Sequence, residues 1–310
     1  MAKNKKKYWR DLIVKYAGNP IISLDDIPQL SNAVFNAAVT KYQDEYLLLL
    51  RVEGLEGKSR FFLARGKDGF HFKVSERPVM QWSSQEPFKT YEKRGIEDPR
   101  ITKIGDTYYI LYTAVSHAGT RIALAATEDF KTFKRIALIS EPENKDAALF
   151  PKKINNRFVR FDRPMAAGGN IWISYSLDLL YWGDSKCVME TRPGYWDSAR
   201  IGSGPPPLET DKGWLEIYHG VKKTPSGSIY RLGTALFDLK DPSRLIARCE
   251  APILSPREYY ERTGDVPNVI FGCGIILEET GEVKIYYGAA DTCICVGLTS
   301  LHDLLEACLH

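Results

Sequence analysis

"FFLARGKDGFHFKV" (residues 61–74) and "RIALAATEDFKTFKRI" (121–136) follow one plan. An apolar strand ends in a small residue, a polar residue follows, then an aspartate, and an aromatic comes shortly after. The plan returns in "IWISYSLDLLYWGDSKCV" from Ile171 and "YRLGTALFDLKDPSRLIAR" from Tyr230. A weaker fifth copy, "CICVGLTSLHDLLEACL", starts at Cys293. The starts lie roughly 50 to 65 residues apart, near the upper end of propeller repeat periods. Ahead of each copy sits another apolar, aromatic-rich segment: "EYLLLLRVE", "TYYILYTAV", "RFVRFDRP", "WLEIYHGV" and "VKIYYGAAD". Most of these follow a polar turn ("QDE", "GDT", "INN", "DKG", "TGE"), and their β-branched and aromatic content marks strands.

Five units of about four short strands predict an all-β chain folded as a five-bladed β-propeller, whose closed ring protects the strand edges. A β-sandwich also has many short strands, but it does not account for a turn motif repeated at this spacing. The division expected is an N-terminal extension over residues 1–18 and a single propeller catalytic domain over 19–310. Helix is expected only as a turn or two in "KKKYWRDLIVKYAG" and "SLHDLLEACL".

The totals narrow the function. A chain of 310 residues with 44% hydrophobic and 26% charged residues is globular in composition. Its net charge of +3 is too small to point to nucleic acid. The basic start "MAKNKKKYWR" is not followed by an apolar stretch, so it does not read as a secretory signal. No run approaches the ~18 apolar residues of a membrane helix, and no membrane partner is expected. Six scattered cysteines lack metal-ligand spacing and read as reduced thiols in a cytoplasmic protein. No metal or other cofactor is expected.

The segments ahead of the copies end in reactive side chains. "LLLL" leads to Arg51 and Glu53, "YILY" to Thr113, "FVRF" to Asp162 and Arg163, "LEIY" to His219, and "IYYGAA" to Asp291. Singly, each reads as a surface charge or, for His219, as a hydrogen-bonded core histidine. Together they would converge on the propeller's central pocket. Lys145 and Arg200 lie close to such ends, and with Arg163 and His219 they make a positive cluster suited to phosphate. No Walker-type glycine loop is present.

"RGIEDPR" (94–100) sets Glu97 and Asp98 between arginines. Pro99 disfavours helix and directs Asp98 toward an extended conformation. Adjacent residues of an extended chain face opposite sides. One acid is therefore expected to face the channel while the other pairs with Arg94 or Arg100.

"GIEDPRITKIGDTYYILYTA", "NKDAALFP", "RIGSGPPPLETDKGWLEIYHGV" and "IYYGAADT" resemble glycoside hydrolase family 130, the β-mannoside phosphorylases and their hydrolase relatives. The resemblance runs from about Asn19 to the C-terminus and implies a five-bladed propeller. It implies that Asp98 is the catalytic acid, acting through the mannose 3-hydroxyl. Lys145, Arg163, Arg200 and His219 then bind phosphate, and Asn36, Arg51, Asp291 and Phe271 bind sugar. Ala37 stands where many relatives have serine, which removes one hydrogen bond to the mannose. The reaction implied is inverting phosphorolysis of a β-mannoside, β-1,4- or β-1,2-linked, to α-mannose 1-phosphate, a hexosyl transfer with inorganic phosphate as substrate. An inverting β-mannosidase using water is the alternative, with Asp98, Glu53 and Asp291 as candidate carboxylates; a non-catalytic carbohydrate-binding propeller is a third. The acceptor sugar, the linkage and whether the chain forms a homo-oligomer stay open at this point.

Overall fold

A computed structural model describes residues 11–309; the basic start at 1–10 and His310 lie outside the described residues. Five antiparallel sheets follow one another along the chain as the blades of a five-bladed β-propeller. Blade I comprises Ser31–Tyr42, Glu45–Gly54, Ser59–Gly66 and Lys73–Val74. Blade II comprises Ile96–Ile104, Thr107–Ser116, Gly119–Thr127 and Lys134–Leu138. Blade III comprises Asn144–Leu149, Phe158–Pro164, Ile171–Ser176 and Gly183–Met189. Blade IV is built from Arg200–Ser203, Trp214–Thr224, Gly227–Phe237 and Leu245–Arg248, with Leu208–Glu209 paired beside the second of these. Blade V has Ile270–Leu277, Glu282–Ala289 and Cys293–Ser300, and its fourth strand is Val14–Lys15 from the start of the described chain. Where the other repeat copies continue into a fourth strand, the fifth turns into the helix Leu301–Leu309. No helix among the described residues is long and apolar enough to cross a membrane.

The repeated aspartate has one job in four blades. Asp68 Oδ1 accepts from the amides of Phe70 and His71, and Asp129 Oδ1 from those of Lys131 and Thr132. Asp178 Oδ1 does the same for Leu180 and Tyr181, and Asp238 Oδ1 for Lys240 and Asp241. Each side chain thus closes the turn between the third and fourth strands, using local hydrogen bonds that aspartate forms readily. The signal that marked the repeat is a turn-forming device, unrelated to catalysis.

Hydrophobic clusters fill the spaces between neighbouring blades. Leu47 and Leu49 pack toward blade II with Ile101 and Ile110, whereas Leu48 and Leu50 pack toward blade V with Tyr286 and Ile294. Both faces of such a strand are buried, so "LLLL" is unbroken rather than alternating. Aromatic residues dominate between blades III and IV, where Phe150 meets Phe161 and Trp214 edge-on.

Candidate active site

Asn36, Arg51, Asp98, Lys145, Arg163, Arg200, His219, Phe271 and Asp291 all line one pocket of about 300 Å³. They come from two positions in the blades. Asn36, Asp98, Lys145, Arg200 and Phe271 lie on the first strands; Arg51, Arg163 and His219 lie on the second, and Asp291 follows the second strand of blade V. Of the other strand-end residues, Glu53, Thr113 and Asp162 do not line this pocket. Asp162 instead accepts from Arg160 Nε at 3.0 Å in a buried pair.

The first strands of blades I, II and III share an irregularity. Register shifts fall between Phe35 and Ala38, between Glu97 and Arg100, and between Lys145 and Ala148. Inside each shift one residue adopts a left-handed backbone: Asn36 at φ 51°, Asp98 at φ 50° and Asp146 at φ 56°. Asparagine and aspartate are the non-glycine residues that tolerate this region best, and a bulge is a device for re-aiming a side chain. "FNAA", "EDPR" and "KDAA" are therefore equivalent pieces of three blades. Asp98 is not extended as Pro99 suggests; the bulge outweighs the local preference of a residue before proline. Asp98 lines the pocket and Glu97 does not, as one acid facing the channel requires, but Glu97 pairs with Arg51 rather than with Arg94 or Arg100. Both meet Arg51: its Nη2 lies 2.9 Å from Glu97 Oε1 and its Nη1 2.9 Å from Asp98 Oδ1.

Asp98 is buried, and its Oδ1 also accepts from Asn36 Nδ2 at 2.8 Å. Burial alone would raise its pKa. The charges of Arg51, Lys145 and Arg100, with the Asn36 bond, outweigh burial and hold the carboxyl well below the usual range. Arg100, 1% exposed, is the strut beneath: Nη1 donates to the Asp98 carbonyl at 2.8 Å, Nε to Gly204 O at 3.0 Å and Nη2 to Ser203 O at 3.2 Å. Asp291 goes the other way. Burial, aided by the negative charges of Asp98 and Glu97 and opposed by Arg51, pushes it up to about 7.

Across the pocket, Asp146 organises the cations. Its Oδ2 lies 2.8 Å from Arg163 Nη1 and 3.5 Å from His219 Nε2, and its Oδ1 lies 3.6 Å from Arg100 Nη2. His219 is wholly buried, and burial together with Arg163, Arg100 and Arg200 pushes its pKa down to about 3 against the pull of Asp146. The ring is thus neutral near pH 7. Its Nε2 lies 3.0 Å from Arg163 Nη1 and accepts from it, which places the ring proton on Nδ1. Three buried donors of this cluster, His219 Nδ1, Arg163 Nε and Arg200 Nε, have no hydrogen-bond partner among the described residues. Arg200 Nη2 donates to the Tyr230 hydroxyl. Phe271 covers one side, 4.6 Å from the His219 ring centroid.

Of the pocket residues that the sequence reading missed, Asp146 and Tyr230 touch the cation cluster directly. The match of "KDAA" to "EDPR" could have singled out Asp146; no comparable signal marks Tyr230. Thr120 and Glu143, also unremarked in the sequence, meet at the rim, where the Thr120 hydroxyl donates to Glu143 Oε2 at 2.8 Å.

Known proteins share this architecture over almost the whole chain. A beta-1,4-mannooligosaccharide phosphorylase of Ruminococcus albus is 35% identical over 306 residues, covering 96% of this chain and 91% of the relative. A beta-1,2-mannobiose phosphorylase of Thermoanaerobacter sp. is 39% identical over 303 residues, covering 92% and 96%. The solved structure of a Listeria innocua beta-1,2-mannobiose phosphorylase in complex with beta-1,2-mannobiose superposes with a TM-score of 0.86 at 34% identity, covering 95% of this chain and 98% of that one. The family model described as beta-1,4-mannooligosaccharide phosphorylase matches residues 3–310, and the chain belongs to that family, glycoside hydrolase family 130.

Proposed function

We propose that the chain is a β-mannoside phosphorylase, transferring a mannosyl unit from a manno-oligosaccharide to inorganic phosphate. The related enzymes carry that activity in their names. The observation that carries the reading to this chain is the trio of unpartnered donors on His219, Arg163 and Arg200, in the same pocket as Asp98. Buried donors without acceptors are costly, and an orthophosphate oxygen supplies what they lack. Lys145 lines the same pocket and adds a further positive charge.

In this reading phosphate attacks the anomeric carbon from the face opposite the leaving group. The bond from that carbon to the bridging oxygen breaks, a new carbon–oxygen bond to phosphate forms, and α-mannose 1-phosphate results by inversion. The leaving oxygen takes a proton that originates on Asp98 and passes through the mannose 3-hydroxyl. Asn36, Arg51, Asp291 and Phe271 hold the mannosyl unit. An inverting glycosidase needs a second carboxylate to activate water, whereas phosphate arrives already charged. Asp146 is unsuited to be such a base, since the charges of Arg163 and Arg100 outweigh burial and lower its pKa, leaving a weak proton acceptor. Holding phosphate against the sugar also removes much of the entropic barrier.

The test is synthesis in the reverse direction. The enzyme is supplied with α-mannose 1-phosphate and, in turn, glucose, N-acetylglucosamine, mannose and mannobioses. Phosphate release with a subset of acceptors is expected, and the linkage of the product follows from its structure. No release with any acceptor would reject the reading.

A further inference from the structure

We propose that a second cavity, between blades IV and V, binds the phosphate group of a small ligand. It measures about 440 Å³ and shares no lining residue with the catalytic pocket. Arg231 is one of the cations that line it. Its Nη1 is buried and has no hydrogen-bond partner among the described residues. Burial, together with repulsion from Arg257, lowers the Arg231 pKa against the weaker pull of Asp11. Lys222, Arg257 and Arg262 line the same cavity. Among the described lining residues the one acid, Asp11, is already held by Arg257 Nε at 3.0 Å. A solvated basic patch would leave its guanidinium nitrogens in water; here Arg231 Nη1 is shielded from solvent and unpaired. Such an orphan calls for an anion, and a guanidinium flanked by further cations matches the oxygens of a phosphate group.

The cavity lies in the ~300–1,000 Å³ range of small-molecule sites and has more room than the catalytic pocket. Asn268, Ser255 and Trp196 complete its wall. These suit hydroxyls and an apolar ring face, so the phosphate can belong to free orthophosphate or to a hexose phosphate. The second source rests on the phosphorylase reading, because a hexose 1-phosphate is that reaction's product.

The cavity is one residue away from the catalytic machinery along one strand of blade IV and in the segment that leads into the first strand of blade V. Tyr230 lines the catalytic pocket and Arg231 lines the second cavity, as neighbours in a strand face opposite sides. Likewise Val269 lines the first and Asn268 the second, and the Tyr230 amide donates to the Asn268 carbonyl at 2.9 Å.

Calorimetric titration of the whole protein, with inorganic phosphate and separately with α-mannose 1-phosphate, tests the site. Two binding events are expected on the wild type and one on Arg231→Met. Lys222→Ser combined with Arg257→Ser, at half-buried and exposed positions, is expected to weaken the second event about tenfold while leaving the first. All variants should keep turnover within about twofold of wild type at saturating substrate. A second event at least tenfold tighter for the sugar phosphate assigns a hexose phosphate; equal affinities assign free phosphate. Binding on Arg231→Met that matches the wild type in the number and affinity of events overturns the proposal, whether the wild type shows two events or one. Counting events with inorganic phosphate requires no turnover, so the result stands apart from the fate of the phosphorylase reading.

Discussion

Asp98 is ionised in the free protein, held so by Arg51, Lys145 and Arg100 against the cost of burial, yet a proton donor must carry a proton. Under the proposed mechanism phosphate resolves the conflict: its charge beside the cation cluster would offset the field that keeps the carboxyl ionised, so that the acid would load when the nucleophile binds. Asp98→Asn should lower turnover by roughly 10²–10⁴-fold, the usual contribution of a general acid. A thermal melt close to that of wild type would show that the fold is intact. The loss should be smaller on an aryl mannoside whose leaving group needs no proton. Arg163→Ala should raise the apparent KM for phosphate much more than that for the mannoside. It should also destabilise the fold by about 3–5 kcal/mol, because Asp146 then stays buried without its nearest cation. Glu216 gives a pH signature of its own. It is fully buried, bonded to Ser203 and to the Gly204 amide, and burial pushes its pKa up to about 8. From the ordinary carboxylate pKa up to about 8, the folded chain keeps a proton that the unfolded chain has lost. Stability therefore falls as pH rises through that window and levels off above it. Glu216→Gln should melt progressively higher than wild type as pH goes from 5 to 8, with a constant difference beyond.

Two glycines at the scale of the strand let the site close. A Cβ on Gly202, in the first strand of blade IV, would sit 2.4 Å from His219 Cε1 and 2.6 Å from Asp146 Oδ2. A Cβ on Gly288, in the second strand of blade V, would sit 2.2 Å from Asn36 Oδ1 and 2.8 Å from its backbone nitrogen. Gly202→Ala should therefore raise the phosphate KM, and Gly288→Ala the mannoside KM, a split that initial-rate kinetics would display. The strands themselves were legible, since apolar runs between polar turns need no tertiary knowledge to be read. Arg51, Arg163, His219 and Asp291 were legible as polar groups at the ends of those runs, whereas Asn36 and Phe271 came only with the family resemblance, and Glu53, Thr113 and Asp162 carry the same signal without lining the pocket. The bulges were not. Asp98 next to Pro99 reads locally as extended, and only pairing with the second strand of the blade reveals the inserted residue. Asp146 was overlooked for the same reason, its neighbour Lys145 having the more conspicuous charge.

The ring as a whole is closed by its two ends. Val14–Lys15 pairs with Gly297 and Leu298, so the start of the described chain finishes the last blade. Within the stretch read in sequence as part of an extension with a helical turn or two, Val14–Lys15 is here a strand, because the fifth repeat copy has no fourth strand of its own; residues 1–10 of that stretch lie outside the described residues. Lys15 Nζ also lies 2.6 Å from the wholly buried Glu261, which further accepts from Tyr287 and from the amides of Arg257 and Glu258. Lys15→Met should cost about 3 kcal/mol, the scale of an uncompensated buried charge, read as a lower denaturant midpoint with an unchanged slope. What the closed ring does is bring side chains from every blade to one pocket where a carboxylate faces a cluster of cationic side chains. The most direct measurement of the phosphorylase reading is phosphorus NMR of the enzyme with β-1,4- and β-1,2-mannobiose, in the presence and absence of inorganic phosphate. The account predicts that α-mannose 1-phosphate forms from at least one of them, and that cleavage stops when phosphate is withheld. Free mannose released at an undiminished rate in phosphate-free buffer would contradict it.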